Sequence, residues 1–314
     1  MIERRTSSPR RRLSRALLVA MVSAGAVAGQ IDIAHSQTPS PLPVTVELGD
    51  VSLTKLPIII AADNGIFERN GLKVDMFITP RAAEAVRSAG VIVPPENIRS
   101  GAIGDISVTG GSPMVVETTT IATVPHRVIL ATMDNIVRFH IISRADITRP
   151  EQLKGKRIGY TVRGALTDYS TLLYLQELHF DPVQDVAMYS NGSTVGNIEK
   201  NEVDAFAGDE ISVAAAKKAG MNDLVDLSQY NWPMAGSGLM ALSSWLPNNH
   251  EAAQRFVKSI VEAIALMKTD KAAASASLGK WFGMKDPAKV DAVYASAKYL
   301  PSKPYPSVEG LQMM

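Results

Sequence analysis

The chain has 314 residues, 46% of them hydrophobic and 20% charged, which suits a globular protein large enough for two modest cores. Its 32 lysine and arginine residues nearly balance 31 aspartate and glutamate residues, so it lacks the basic excess of a nucleic-acid-binding protein. The absence of cysteine excludes disulfides, thiolate metal sites, a cysteine nucleophile and lipid attachment at a mature N-terminal cysteine.

Residues 1–28 have the pattern of a signal peptide. Six arginines against one glutamate give this segment a charge of +5, which leaves −4 for the remainder of a chain whose total is +1. The apolar run at 16–28 is too short to cross ~30 Å of hydrocarbon, and Ala26 and Ala28 permit cleavage before Gly29. A membrane-anchoring helix is the alternative. We expect export to the periplasm as a protein without a lipid anchor, by either the general or the twin-arginine route.

Strand-like and helix-like segments alternate after a proline-rich leader at 29–43, as in an α/β protein with mainly parallel sheets. The predicted strands are 44–48, 73–78, 105–109, 128–133, 139–143, 157–161, 186–189, 204–207, 224–227 and 238–242. The predicted helices are 55–69, 81–88, 112–119, 150–153, 166–178, 193–200, 210–218, 247–268, 270–282 and 287–297. The helix at 247–268 has the clearest 3.6-residue periodicity.

Two segments are predicted to carry the chain between two lobes. They are 133–143 and 230–239, the second of which is loosened by two glycines. We predict that 44–138 and 235–314 form the first lobe and 139–234 the second. Two crossovers between two lobes make a hinge and a cleft.

Four segments follow one another in an order that is typical of one family. The segment 56–74 places a proline in the first turn of a predicted helix and glycines at its stops, where positive φ is tolerated. It is followed by 101–113, a strand that ends in a small-residue loop, and then by 153–159 and 202–207. Together they resemble the periplasmic binding proteins for nitrate, sulfonates, taurine and thiamine precursors, which are type II solute-binding proteins of ABC importers.

The resemblance implies an α/β, two-lobed type II periplasmic-binding-protein fold, with two mainly parallel sheets, flanking helices and a double-crossover hinge. It implies a monomer that delivers a small molecule to an ABC permease in the inner membrane, without a cofactor. Two features depart from the family. Asp209-Glu210-Ile211 stands where many relatives have a Trp-Glu-Pro-like run, and the chain stops at Met314, so a truncated C-terminus remains open.

In this fold the ligand meets helix N-termini and loops at the carboxyl ends of strands, where backbone N–H groups and the helix dipole favour anions. The candidate ligand-binding residues are Leu53, Thr54, Gly110, Gly111, Ser112, Arg163, Gly164, Ala165, Asn191, Ser193, Asp209, Glu210 and Trp232. Some of them have ordinary structural explanations as well. Ser112 also suits a plain helix cap, Arg163 a solvated surface charge and Trp232 a packing residue of the hinge.

Asp209 follows an apolar strand and is placed to accept hydrogen bonds from a ligand ammonium, with Glu210 beside it. Alternatively, both acids only favour the positive end of the next helix. With the anion-friendly loop at 109–113, this predicts a small anionic or zwitterionic organic solute, such as taurine or another sulfonate. A pyrimidine precursor related to thiamine is the alternative ligand.

The sequence lacks the usual motifs of an enzyme. Its five histidines have no metal-binding spacing, and neither a nucleophile elbow nor a phosphate-binding loop is present. A pyrimidine-forming enzyme shares the expected fold, but it depends on a cysteine-rich motif that this chain lacks. We therefore expect a binding protein without a metal site. A protein that hands its ligand to a sensor or a non-ABC carrier would have the same sequence features.

Overall fold

A computed structural model describes residues 40–87, 89–110, 115, 119–120, 125–297 and 299–313. Residues from Pro39 onward form one compact unit. The predicted signal peptide, most of the leader and most of the predicted helix 112–119 lie outside the described residues. In the part of the chain that is described, no helix is long and apolar enough to cross a membrane.

The strands are β1 (Leu42–Leu48), β2 (Leu72–Ile78), β3 (Ile106–Thr109), β4 (Arg127–Ile136), β5 (His140–Ser143), β6 (Arg157–Tyr160), β7 (Ala187–Ser190), β8 (Ala205–Gly208), β9 (Asn222–Asp226) and β10 (Pro233–Leu242). The α-helices are α1 (Leu56–Asp63), α2 (Ile66–Arg69), α3 (Pro80–Ala85), α4 (Leu166–Glu177), α5 (Val195–Glu199), α6 (Glu210–Lys218), α7 (His250–Thr269), α8 (Lys271–Phe282), α9 (Pro287–Ala297) and α10 (Val308–Gln312). Short 3₁₀ turns lie at Leu53–Lys55, Pro95–Asn97, Pro150–Leu153, Leu227–Tyr230 and Leu246–Asn248.

The first sheet has the strand order β2-β1-β3-β10-β4. The pairs β1–β2 and β1–β3 are parallel, with Val46 opposite Met76 on one side and Ile106 on the other. Strand β10 runs antiparallel to both β3 and β4, so β4 points the same way as β1. Four strands therefore share one direction and one opposes them.

The second sheet repeats this pattern with the order β7-β6-β8-β5-β9. The pairs β6–β7 and β6–β8 are parallel, and β5 is antiparallel to β8 and β9. The chain passes between the sheets from β4 to β5 and again from β9 to β10. We call the part built on the first sheet the first lobe and the part built on the second sheet the second lobe. The limits of the lobes given above stay predictions.

Each lobe has its own hydrophobic core because its helices cover its sheet. In the first lobe α1, α7 and α8 pack together, and the rings of Phe67 and Phe256 stack with their centroids 5.1 Å apart. Ile260 and Ile264 of α7 are also fully buried there, one turn apart on the apolar face that the sequence periodicity predicted. In the second lobe Tyr174 of α4 is buried beside the sheet.

The predicted elements correspond closely to the described ones, with three differences among the helices. The predicted helix 55–69 is divided because Gly65 adopts a left-handed conformation, with φ of 65°, between α1 and α2. The predicted helix 150–153 is a 3₁₀ turn, and α10 was not predicted. Short segments such as α10 carry too little periodicity to be recognised.

Candidate ligand-binding cleft

Each sheet has a point at which the direction of its connections changes. In the first sheet the chain leaves β1 towards β2 on one side, whereas after β3 it continues to β4 on the other. The same change separates β6 from β8 in the second sheet. Open α/β sheets bind ligands at such points, beside the carboxyl ends of the strands.

A cleft of about 390 Å³ joins the two points, a size in the range of small-molecule sites. Loops that follow β1, β3, β6, β7 and β8 line it, together with α3. Its lining includes Glu47, Gly49, Asp50, Val51, Ser52, Arg81, Thr109, Gly110, Phe139, Thr161, Val162, Ala165, Leu166, Thr167, Ser193, Thr194, Asp209, Ile211, Ser212 and Ser237. The strand ends of both lobes thus converge on one cavity.

Asp209 lies in the cleft wall at the end of β8. It caps α6, because one carboxylate oxygen accepts hydrogen bonds from the Ser212 backbone N–H at 3.0 Å and from the Ser212 hydroxyl at 2.9 Å. Burial raises the pKa of Asp209, and the charge of Asp50 across the cleft raises it further. The helix-cap role is therefore present, and the same carboxylate also lines the cavity.

Asp50 brings a second carboxylate to the cleft from the first lobe. Its partner is Lys55, whose side chain is completely buried and pairs with it, and which also donates to the Thr54 hydroxyl at 3.1 Å. Asp50 itself keeps 42% of its side-chain surface exposed. Asp50 was not among the predicted ligand residues, although it stands two residues beyond the end of β1, much as Asp209 directly follows β8.

The N-terminus of α4 is the third feature of the cleft. Ala165 occupies the cap position and provides no side-chain cap, while Leu166 and Thr167 in the first turn line the cavity. The Thr167 hydroxyl bonds to the Thr161 hydroxyl at 2.7 Å and fixes the loop before the helix. The N–H groups of the first turn, which Ala165 does not cap, and the helix dipole make this end favourable for an anion.

A second cavity, of about 550 Å³, adjoins the cleft at its mouth. Arg81 and Arg87 line it from the first lobe, and Asn191, Asn197 and Lys200 line it from the second. Arg87 pairs with Glu84 at 3.0 Å in the described structure, and both side chains are largely exposed. The mouth is thus more basic than the interior.

The structure distributes the predicted ligand residues over several environments. Gly110, Ala165, Ser193 and Asp209 line the cleft, and Asn191 lines the adjoining cavity. Leu53 and Thr54 are buried beneath the cleft, outside its lining. Gly111 and Ser112 lie outside the described residues.

The other four predicted residues make contacts of their own. Arg163 pairs with Asp168 at 3.0 Å while its side chain stays 67% exposed, and the Gly164 N–H donates to the same carboxylate. The ring of Trp232 stacks on Tyr230 with centroids 4.4 Å apart. Glu210 lies close enough to Ser296, a first-lobe residue, for Ser296 to act on the pKa of its carboxyl group. None of these four is in the described lining of the cleft.

The described residues contain no group of three or more histidine, aspartate or glutamate side chains arranged to hold a metal ion. The chemistry that the lining offers is therefore that of carboxylates, hydroxyls, backbone N–H groups and one guanidinium, that of Arg81.

Two lobes with this repeated strand order, joined by two crossovers and enclosing a cleft at their strand ends, have the α/β fold of type II periplasmic binding proteins. The chain belongs to the NMT1/THI5-like family, whose sequence profile matches residues 54–274. No curated protein sequence matches the chain closely enough to count as a relative.

Several solved structures are similar to the chain. The periplasmic nitrate-binding protein NrtA of Synechocystis PCC 6803 has a TM-score of 0.65 and 16% identity, over 80% of this chain and 69% of that one. The periplasmic aliphatic sulphonate-binding protein SsuA of Escherichia coli has a TM-score of 0.60 and 18% identity, over 84% of this chain and 85% of that one. The desulfurization enzyme DszB, as a cysteine-to-serine variant with biphenyl-2-sulfinic acid, has a TM-score of 0.52 and 18% identity, over 85% and 88%.

Proposed function

We propose that the chain is an extracytoplasmic solute-binding protein. It captures a small anionic or zwitterionic organic solute, of the sulfonate or taurine kind, between its lobes and delivers it to an ABC permease in the inner membrane. The observation that carries this proposal is the cleft of about 390 Å³ on which the strand ends of both lobes converge. A ligand that contacts both lobes favours the closed arrangement, and a permease can recognise that arrangement.

The charges of the cleft favour a zwitterion over a simple anion. Asp209 and Asp50 approach it from opposite lobes, and Arg81 is the one cationic side chain in the described lining. An ammonium group between the two carboxylates would relieve their repulsion. The anionic end of the solute would then meet the N-terminus of α4, whose N–H groups have no side-chain cap.

The names of similar solved structures support a small anionic solute as the class of ligand. Among similar structures, one protein is named for nitrate, one for aliphatic sulphonates, and an alkanesulfonate-binding protein from Xanthomonas axonopodis holds MOPS. For this chain we propose periplasmic location after cleavage of a signal peptide at residues 1–28, no lipid anchor, and a monomeric state.

A pyrimidine precursor is the second candidate ligand, and the family match is what favours it. Phe139 lines the cleft and offers an aromatic edge to such a ring. Catalysis is the third candidate, because DszB shares the fold. We propose binding without catalysis, since the cleft offers no cysteine, and this chain contains none.

A thermal-shift screen of the mature protein tests the proposal. The protein is refolded to remove any carried ligand and then mixed with taurine, alkanesulfonates, nitrate and aminopyrimidines. Binding to the native state alone stabilises it by ~2.7 kcal/mol at a hundredfold excess over the dissociation constant. We expect a saturable shift with taurine or a related amino-sulfonate. A folded protein that gives no shift with any compound would contradict solute binding of the proposed kind.

The variant Asp209→Asn tests the ammonium contact, because asparagine keeps the helix cap and removes the charge. We expect taurine affinity to fall at least tenfold, as a charge-assisted hydrogen bond is worth ~1.5–3 kcal/mol, and affinity for ethanesulfonate to stay unchanged. Asp226→Asn is the matched control, since Asp226 also caps a turn in the second lobe, through Ser228, but lies outside the described cleft lining. Equal taurine binding by both variants would overturn the role of Asp209.

A further inference from the structure

Helix α6 belongs to the second lobe by its place in the chain, but its side chains belong to both lobes. Val213 and Ala216 are buried in a hydrophobic cluster of the second lobe. Ile211, only 2% exposed, is buried in the hydrophobic cluster of the first lobe. Ala215, one turn after Ile211, is partly buried and packs against both clusters. Two faces of one short helix therefore serve two different cores.

The partner of α6 in the first lobe is α9. The two helices pack against each other, and the buried Val290 and Val293 of α9 belong to the same cluster as Ile211. A polar neighbour accompanies the apolar contact, because Ser296 of α9 lies close enough to Glu210 to act on the pKa of its carboxyl group. The contact therefore has an apolar centre and a polar edge, as a stable interface does.

The same isoleucine also lines the ligand cleft. A movement that separated α6 from α9 would bring Ile211 out of the first-lobe core, and water would reach both the core and the cleft. Because the same side chain packs in the first-lobe core and forms part of the cleft wall, the interlobe contact and the shape of the cleft depend on each other.

We propose that the α6–α9 contact is a latch that holds the two lobes together before any solute binds, and that Ile211 couples this latch to the cleft. The latch goes beyond the proposed function because it is a property of the protein without ligand. The latch sets the fraction of molecules that are closed without ligand. It therefore also sets how much binding free energy a solute must supply to complete closure.

The latch is tested by measuring the distance between the lobes without ligand. The chain has no cysteine, so the double variant Glu84→Cys and Lys200→Cys places one spin label on each lobe, at exposed positions on opposite sides of the mouth. Electron–electron double resonance then reports the distribution of interlobe distances. The unlatched variant is Ile211→Ala, and the matched control is Val213→Ala, on the same helix but packed in the second lobe.

We expect a single narrow distribution in the parent and in Val213→Ala. In Ile211→Ala we expect a second, longer distance, since losing a buried isoleucine shifts such an equilibrium roughly tenfold to a hundredfold. Circular dichroism confirms that each variant is folded. If Ile211→Ala does not fold, Ile211→Val combined with Ser296→Ala makes the same test. Distributions that are identical in the parent and the unlatched variant would overturn the latch and leave the solute-binding proposal untouched.

Discussion

At the scale of single residues, two of the ion pairs that contain a buried charge are unequal in exposure. Lys55 is fully buried, whereas its partner Asp50 is 42% exposed in the side chain. In the second lobe, Asp204 is nearly buried and pairs with the more exposed Arg144 and Arg157, at 3.0 and 2.9 Å. The buried member of such a pair depends on its partner, while the exposed member retains water.

This inequality predicts that Asp50→Ala destabilises the protein more than Lys55→Met does. Losing Asp50 leaves an ammonium group buried without its main counter-charge, which costs ~3 kcal/mol or more. Losing Lys55 replaces a buried charge by an apolar side chain of similar length and leaves a partly solvated carboxylate, so we expect ~1 kcal/mol or less. Urea denaturation measures both, and equal losses would contradict the prediction. The double variant serves as control and should be more stable than Asp50→Ala.

At the scale of elements, replacing a glycine has opposite consequences for stability at one strand position and at one helix position. A Cβ on Gly159 of β6 would lie 2.1 Å from the Gly192 carbonyl oxygen, so the β7–α5 loop can approach only because neither residue has a side chain. A Cβ on Gly279 of α8 would meet nothing closer than 3.8 Å. The first glycine positions a loop that lines the cleft through Ser193, and the second is a helix residue without that constraint.

We therefore expect opposite effects from two chemically identical substitutions. Gly159→Ala should destabilise the protein by more than ~2 kcal/mol, because the neighbour is backbone and cannot move without shifting the loop. Gly279→Ala should stabilise it by ~0.5–1 kcal/mol, since alanine is the better helix former. The midpoints of urea unfolding measure both. A neutral Gly159→Ala would show that the loop is free to shift and would contradict the prediction.

The local elements are the part of the fold that was predictable. All ten described strands begin or end within a few residues of a predicted strand, because alternating apolar side chains and turn residues are local signals. The division between α1 and α2 was missed because a glycine inside a helical pattern does not reveal whether it will adopt positive φ. Strand β10 begins earlier than predicted, since its first residues pair with β4 across a register shift.

At the scale of the whole molecule, acidic groups gather where the lobes meet. Burial raises the pKa of Asp134 to about 7, although Arg138, with its guanidinium 3.2 Å away, and Lys55 lower it. Burial likewise raises the pKa of Glu210 to about 7, and the charges of Asp209 and Asp134 add to this, while Ser296 lowers it. Asp134 comes from the first lobe and Glu210 from the second. Their ionisation therefore changes the charge at the place where the lobes meet.

This arrangement predicts that stability falls as the pH rises from 5 to 8. Both carboxyl groups hold their protons more tightly in the folded protein, so their contribution is complete below about pH 4 and is lost as the pH passes 7. The free energy of unfolding should decrease by an amount on the order of 1–3 kcal/mol over this range. Urea unfolding at several pH values measures it. In the double variant Asp134→Asn with Glu210→Gln, the free energy of unfolding should depend less on pH. An unchanged dependence would contradict the assignment to these two carboxyl groups. Asp226→Asn is the control.

The sequence by itself determined the order of strands and helices, the two-lobed α/β fold and the family, because periodicity, turn residues and family motifs are local or ordered along the chain. It also indicated Asp209 after a strand and Ala165 at the start of a helix as ligand residues, and both line the cleft. Only the tertiary structure decided which partners the side chains have. Arg163 turned to Asp168, Lys55 to Asp50 and Ile211 to the opposite lobe. Each partnership depends on how the helices and loops pack in three dimensions, and no pattern of neighbours in the sequence specifies that packing.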